Sequence, residues 1–254
     1  MSLTRYRTID IAREAGIHVN TVRLYEEIGL ISGAPRATNG YRIFSEKHLY
    51  QTKIARLIVQ GIWPGKVIRN SGMKIISAMK EWDLNAAHQY ADSYIKTIND
   101  ERQKALAAIE TLENWGNSIY ASSSGETYNR KQTAAIIGTS PEVLRNWERR
   151  GLIKVPQISS KRAYSLLEIE RLRVIYVMLQ SNYKIAEISE RLQLYDKENI
   201  NENPNEVNLK RYEHISSLRC HWLEVSDNAL RNAMKVLAIL SKFFKPSSCK
   251  PPNI

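Results

Sequence analysis

The sequence predicts a mainly α-helical protein with two winged helix-turn-helix domains, each carrying a small β-hairpin wing, and two long coiled-coil helices. Three observations predict this fold class. One segment occurs twice along the chain, each copy places two short helices around a glycine-containing turn, and each copy ends in a long amphipathic stretch.

The repeated segment reads "VRLYEEIGLI" at 22–31 and "LRNWERRGLI" at 144–153. Further matches lie at the same offset, or at an offset two residues smaller after a deletion: Tyr6 with Tyr128, Gly16 with Gly138, and Arg42 with Arg162. Agreement at a nearly constant offset indicates a duplicated domain, and the period is too long for a solenoid repeat. The predicted parts are a first winged domain at 1–83, a long helix at 84–116, a linker at 117–126, a second winged domain at 127–200, a long helix at 201–245 and a disordered tail at 246–254.

Each winged domain opens with two short helices. Apolar residues at helical spacing in "TIDIAREAG" predict a helix that ends at Gly16, and a second helix follows from about Asn20 to Ile28. In copy two, Ser140 and Pro141 are a strong helix start, whereas His18 is a weaker one in copy one.

A hairpin signal follows the second helix. Asn39-Gly40 favours a tight turn between two short strands, which would form a wing. The corresponding "ISSKRAYS" at 158–165 is shorter and lacks Asn-Gly, so the second wing is the weaker prediction.

The two amphipathic stretches, 84–115 and 215–243, show the 3-4 spacing of coiled-coil seams. Each seam contains one polar residue, Glu101 in the first and Asn232 in the second, and a lone polar seam residue can fix register. An apolar seam of this length needs a partner, and the other seam of the same chain is the simplest one.

Composition narrows the classes of function. The net charge of +11 suggests a polyanionic partner such as nucleic acid. Only two cysteines occur, no signal peptide or membrane span is evident, and a reducing, nucleoid-associated cytoplasmic location is expected. No cofactor or metal is predicted, because Cys220 and His221 are adjacent and point to different helix faces, and no catalytic motif argues for an enzyme.

The order of elements resembles the MerR family of bacterial transcription regulators. The residues that carry the resemblance are "TIDIAREAGIHVNTVRLYEEIGLI" and "NGYRIFS" in copy one, with Leu24 where the family has a tyrosine, and "LRNWERRGLI" with "KRAYS" in copy two. The resemblance implies a sequence-specific regulator of double-stranded DNA. Such a regulator bends and untwists a promoter at a site with two half-sites so that RNA polymerase can engage it. Because the two second helices differ in sequence, we expect an imperfect palindrome if both bind.

Most relatives are implied to be homodimers joined by an antiparallel pair of long helices, with an effector-sensing segment after that helix. Here a second winged domain begins where a sensor would start. We therefore expect either that one chain imitates the dimer through its two long helices, or that it forms a homodimer through them.

Candidate DNA contacts fall on the second helices, the wings and the first helices. Arg23 and Arg145 could bind phosphates or a guanine edge, although an ion pair with a nearby Glu is the alternative. Tyr25 and Trp147 could contact the backbone or pack in the core, and Asn20 and Asn146 could read adenine. The remaining candidates are Arg13, Thr21, Arg36, Tyr41, Arg42, Lys131, Lys161 and Arg162.

Charge distinguishes the copies. Residues 128–164 hold eight basic and two acidic side chains, against six and four in residues 4–44. Copy two is therefore expected to depend more on phosphates, and copy one to read more sequence.

Two other functions stay open. One is an architectural, excisionase-like DNA-bending protein without a sensor role. The other is a ligand sensor with a pocket of aromatic side chains drawn from Trp63, Trp82, Tyr90 and Tyr94.

Overall fold

The computed structural model describes residues 5–59, 65–114, 126–158, 161–196 and 204–243. The predicted linker, the predicted tail and Trp63 lie mostly or wholly outside these ranges. The chain forms two compact units, one from residues 1–99 and 225–254 and the other from residues 100–224. Within the described residues, no helix combines the length and the apolar character that crossing a bilayer requires.

Unit 1 begins with the helix-turn-helix pair α1 (Thr8–Ala15) and α2 (Val19–Glu27). Helix α1 ends at Gly16, which adopts a left-handed φ of 63° that a side chain would strain. Helix α2 starts at His18, whose Nδ1 accepts a hydrogen bond from the Asn20 N–H at 3.2 Å, so this histidine caps the helix despite its weak propensity.

The first wing is a minimal hairpin. Arg36 and Arg42 form an isolated antiparallel bridge, flanked by a bond from the Ala37 N–H to the Tyr41 carbonyl. A second bridge joins Tyr6 to Phe44 and ties the wing to the chain before α1.

Helices α3 (Glu46–Val59) and α4 (Lys66–Glu81) complete the first winged domain. The long helix α5 (Leu84–Glu113) follows and contributes its first half, up to Asn99, to unit 1.

Unit 2 repeats this order of elements. Helices α6 (Arg130–Ile137) and α7 (Pro141–Arg149) flank a turn at Gly138, whose φ of 77° is again left-handed. Ser140 caps α7 by accepting from the Val143 N–H, as the sequence indicated. Strands β1 (Gln157–Ile158) and β2 (Lys161–Arg162) pair antiparallel. Helices α8 (Leu166–Gln180), α9 (Ile185–Asp196) and the long α10 (Pro204–Ser241) follow.

The relative strength of the two wings is opposite to the sequence prediction. Copy two holds a two-stranded ladder, whereas copy one holds a single bridge. The reason is loop length. Only two residues separate β1 from β2, and a connection of this length fixes the register of the two strands. In copy one, Asn39-Gly40 belongs to a longer turn in which the Gly40 N–H donates to the Ala37 carbonyl.

Each long helix contributes buried residues to the cores of both units. The first half of α5 and the second half of α10 belong to unit 1, and the other two halves belong to unit 2. In unit 1, residues of the first half of α5 and the second half of α10 share one core cluster: Ala87, Ala91, Tyr94 and Ile98 with Ala229, Ala233, Val236 and Leu240. In unit 2, the remaining halves share the other: Ala105, Ala108, Ile109 and Leu112 with Ile215, Leu218 and Trp222.

The seam of α10 departs from the predicted spacing in its second half. Ala233 and Leu240 are buried there, whereas the predicted Asn232 and Ile239 are half-buried. A straight helix has 3.6 residues per turn, so a strict 3.5-residue pattern drifts off the buried face over several turns. Asn232 therefore does not hold the central seam position that the sequence pattern assigned to it.

Candidate nucleic-acid interface

Helix α2 buries one face and presents the other to solvent. Val22 and Tyr25 face the core. The opposite face is exposed and consists of Asn20, Arg23, Leu24, Glu27 and Ile28. The Arg23 guanidinium lies 3.5 Å from the side-chain oxygen of Asn20, so these two polar side chains form one edge of the face. Because one cation and one anion offset each other, this face is electrically neutral.

Helix α7 presents the corresponding face in unit 2, but with a different chemistry. Leu144 and Trp147 face the core. Arg145, Arg149, Arg150 and Glu142 are exposed, and Asn146 is half-buried with its oxygen accepting from Arg149 at 3.0 Å. Three arginines against one glutamate make this face basic.

A salt bridge fastens the first wing to helix α2. The Arg42 Nε lies 2.5 Å from a carboxylate oxygen of Glu26, whose other oxygen accepts the Ala34 N–H at 2.9 Å. Both charged side chains are largely shielded from solvent. Arg42, a candidate DNA contact, thus binds Glu26 through its Nε, and this bond sets the wing against the second helix.

Unit 2 has the equivalent salt bridge with additional partners. Glu148 stands at the position of Glu26, and its carboxylate accepts from the Arg130 guanidinium at 3.0 Å and from the Tyr164 hydroxyl. The Arg162 Nε lies 3.1 Å from the same carboxylate, and another Arg162 nitrogen donates to the Val155 carbonyl at 2.8 Å. Burial, followed by the hydrogen bond to Glu148, raises the pKa of Tyr164 to about 12.

The two aromatic candidates on the second helices lie in the cores. Tyr25 is 4% exposed and Trp147 is 6% exposed. Burial raises the pKa of the Tyr25 phenol, as expected for a hydroxyl held away from water. These observations favour the packing alternative for both rings over contact with the DNA backbone.

The other candidates divide by exposure. Seven are exposed: Arg13, Asn20, Arg23, Arg36, Tyr41, Lys131 and Arg145. Four are half-buried: Thr21, Arg42, Asn146 and Arg162. Lys161 belongs to strand β2, and its side chain lies outside the described part of the chain.

Several residues of these faces and of the salt bridges were not among the candidate DNA contacts predicted from the sequence. Leu24, Ile28, Arg149 and Arg150 follow from helical spacing once the core residues of each second helix are known. Glu26 and Glu148 could have been found from the repeat itself, because each is a carboxylate at the same place in its copy and each copy also carries a wing arginine.

The structure bears on two other kinds of site, a metal site and the aromatic sensor pocket. Among the described residues, no three His, Cys, Asp or Glu side chains are grouped so that they could hold a metal ion. The described aromatics of the proposed sensor pocket differ in exposure and contacts: Tyr94 is buried in the core, Tyr90 is exposed, and the Trp82 ring meets the Phe243 ring edge-on.

Comparison with known proteins decides the family. A model described as "MerR family regulatory protein" matches residues 7–44, and one described as "MerR HTH family regulatory protein" matches residues 128–195. The HTH-type transcriptional regulator CueR of Escherichia coli O157:H7 is 36% identical over 112 residues, which are 44% of this chain and 76% of that protein. The chain belongs to the MerR family.

The matched segments contain the helix-turn-helix pairs of both units. Membership in a family of regulatory proteins agrees with the expectation that the chain is not an enzyme. CueR proteins of Salmonella typhi and Salmonella typhimurium (strain LT2) are 38% identical over 47 residues, or 18% of this chain. The chain spans about a third of the length of these two relatives, since the match covers 34% of each. No solved structure matches the chain significantly.

Proposed function

We propose that this chain is a sequence-specific, double-stranded-DNA-binding transcription regulator that recognises an imperfect palindrome. The observation that carries the proposal is the pair of exposed second-helix faces, on α2 and α7, each in a MerR-type helix-turn-helix with a wing fastened to it by a salt bridge. A helix-turn-helix places its second helix in the major groove, where exposed side chains meet base edges.

The two winged domains bind one DNA site together, so that a single chain acts as a pseudo-dimer. Support comes from the long-helix seams, whose apolar residues are buried in the cores of their own units. A seam that is already covered has little apolar surface left for a second chain. The two halves of the site differ in sequence, because the exposed faces of α2 and α7 differ in side chains and charge.

Binding of both heads to one duplex requires their second helices to reach major grooves about one helical turn, roughly 34–36 Å, apart. A rigid protein that fixes another spacing would bend or untwist the DNA to fit. The resemblance to the MerR family implies that such a distortion realigns a promoter for RNA polymerase. We propose the same role for this chain.

The test is selection of bound sequences from a pool of random duplexes, followed by footprinting of the selected site. We expect two protected half-sites of related but unequal sequence within one promoter spacer. Binding without any sequence preference would overturn the proposal.

An architectural, excisionase-like DNA-bending protein is the second candidate. The basic face of α7 favours it, because three exposed arginines suit phosphate contacts that carry no sequence information. Genome-wide mapping separates the two functions: promoter spacers support the regulator, and recombination sites support the architectural protein.

A further inference from the structure

Helix α2 and its C-terminal cap residue carry two large aliphatic side chains where the DNA-facing surface is predicted. Leu24 is 48% exposed and Ile28 is 57% exposed. They lie four residues apart, so they are neighbours on one side of the helix. Asn20 is four residues before Leu24, which places Leu24 near the middle of the exposed face, between a polar edge and Ile28.

This face has no net charge to attract it to the DNA backbone. Arg23 and Glu27 offset each other, whereas binding to phosphates needs an excess of cations. Its two aliphatic side chains can add affinity by contacting apolar groups on the base edges. Within the major groove, the apolar group that a base edge presents is the C5-methyl of thymine.

Copy two shows a contrast at the equivalent positions. Asn146 replaces Leu24, and Arg150 replaces Ile28. Asn146 is half-buried and bonded to Arg149. The aliphatic surface is therefore a property of the α2 face and is not required by the helix-turn-helix fold.

We infer that Leu24 contacts the C5-methyl group of a thymine in the half-site bound by unit 1, and so determines part of the sequence specificity. This inference rests on the proposed function, since it requires α2 to lie in the major groove. The aliphatic tip of Leu24 excludes water from the methyl group, while Arg23, on the same exposed face, is available to a neighbouring phosphate or guanine.

Deoxyuridine provides a direct test because it differs from thymidine only by that methyl group. Each thymine of a selected site is replaced in turn by deoxyuridine, and binding of the full chain is measured by fluorescence anisotropy. We expect at least one replacement to weaken binding about fourfold, as for removing one buried methyl-sized group from an apolar contact.

Two variants assign the effect to its side chain. Leu24→Ala should bind thymine and deoxyuridine sites equally at that position, and so should Leu24→Asn, which introduces the residue of copy two. Met234→Ala, which shortens an exposed apolar side chain on the long helix α10, is the control and should keep the fourfold discrimination. Leu24 is half-exposed, so its replacement leaves no core cavity.

The outcomes separate the inference from the proposed function. A selected site at which no deoxyuridine weakens binding, or at which the effect persists in Leu24→Ala, overturns the role of Leu24 and leaves the regulator intact. DNA binding without a selectable sequence overturns both.

Discussion

At the scale of single residues, Glu26 and Glu148 perform the same structural task with different partners. Each projects from the second helix and binds the arginine of its wing. Glu148 also accepts from Arg130 and from the Tyr164 hydroxyl, so one shielded carboxylate satisfies three donors in unit 2. Such a carboxylate holds the wing in a fixed orientation relative to the second helix in the absence of DNA.

Glu148→Gln should lower the free energy of unfolding by about 2 kcal/mol, because hydrogen bonds to charged groups contribute about 1.5–3 kcal/mol each in net terms and the amide retains only some of them. Urea unfolding followed by circular dichroism measures the change. Glu190→Gln, on the exposed face of α9, is the control and should change stability by less than about 0.5 kcal/mol. Equal midpoints for the two variants would contradict the role of Glu148.

Arg145 and Arg162 differ in availability to DNA. Arg145 is exposed on the basic face, whereas Arg162 is bonded to Glu148 and to the Val155 carbonyl. Arg145→Ala should reduce the slope of log binding constant against log salt by about 1, the loss of one phosphate contact. Arg162→Ala should reduce it less.

Titration of binding from low to high salt measures both slopes, and Lys96→Ala, exposed on α5, is the control. An unchanged slope in Arg145→Ala would rule out a phosphate contact from this side chain.

At the scale of helices, the long helices are held by polar groups as well as by apolar seams. Glu101 of α5 is 3% exposed, and its carboxylate accepts from the Tyr176 hydroxyl at 2.8 Å and from Lys104 at 2.7 Å. Its partners therefore lie on α8 and on its own helix. Burial and this hydrogen bond raise the pKa of Tyr176. The polar seam residue thus fixes α5 against the second winged domain.

We expect His214 on α10 to make unit 2 less stable in acid. It packs edge-on against Tyr183, and burial, with a smaller effect of the Arg191 charge, lowers its pKa to about 4. The unfolded chain has a histidine pKa of about 6.5. Stability from the neutral ring is therefore present above pH 6.5 and is lost as the pH falls toward 4, because the unfolded state binds the proton first.

His214→Phe should flatten the fall in the free energy of unfolding between pH 6.5 and pH 4. Urea unfolding at several pH values in this range measures it. His221→Gln, which changes an exposed histidine of the same helix, should leave the fall unchanged. Identical pH profiles for wild type and His214→Phe would show that His214 does not control this sensitivity.

At the scale of the whole molecule, each unit combines one winged domain with parts of both long helices. Apolar seam residues such as Ile98 and Val236 in unit 1, and Leu112 and Leu218 in unit 2, are buried within the chain. Since these surfaces are already covered, dimerisation through the long helices would require the cores to open.

We therefore expect the DNA-free protein to sediment at its chain mass of 29.2 kDa, and one chain to bind one selected site. Analytical ultracentrifugation of the protein alone and with labelled duplex measures both. A species of twice the chain mass that is held by the long helices would contradict the pseudo-dimer and give four winged domains per assembly.

The sequence by itself determined which elements form and to which family they belong. Gly16, Gly138 and Ser140 end or start helices through backbone geometry and local hydrogen bonds, which depend on a few neighbouring residues. The repeat and the 3-4 apolar spacing likewise lie within single segments, so the two pairs of short helices and the long helices could be predicted.

Only the tertiary structure decided which side of each element faces protein and which faces solvent. Tyr25 and Trp147 are buried in the cores, and Arg42 and Arg162 bind carboxylates of the second helices. In the seam of α10, the buried residue is Ala233 and not the predicted Asn232. These outcomes depend on contacts between residues far apart in the chain, where burial and charge pairing outweigh local pattern. The exposed aliphatic face of α2 became visible for the same reason, because exposure is defined by what the rest of the fold leaves uncovered.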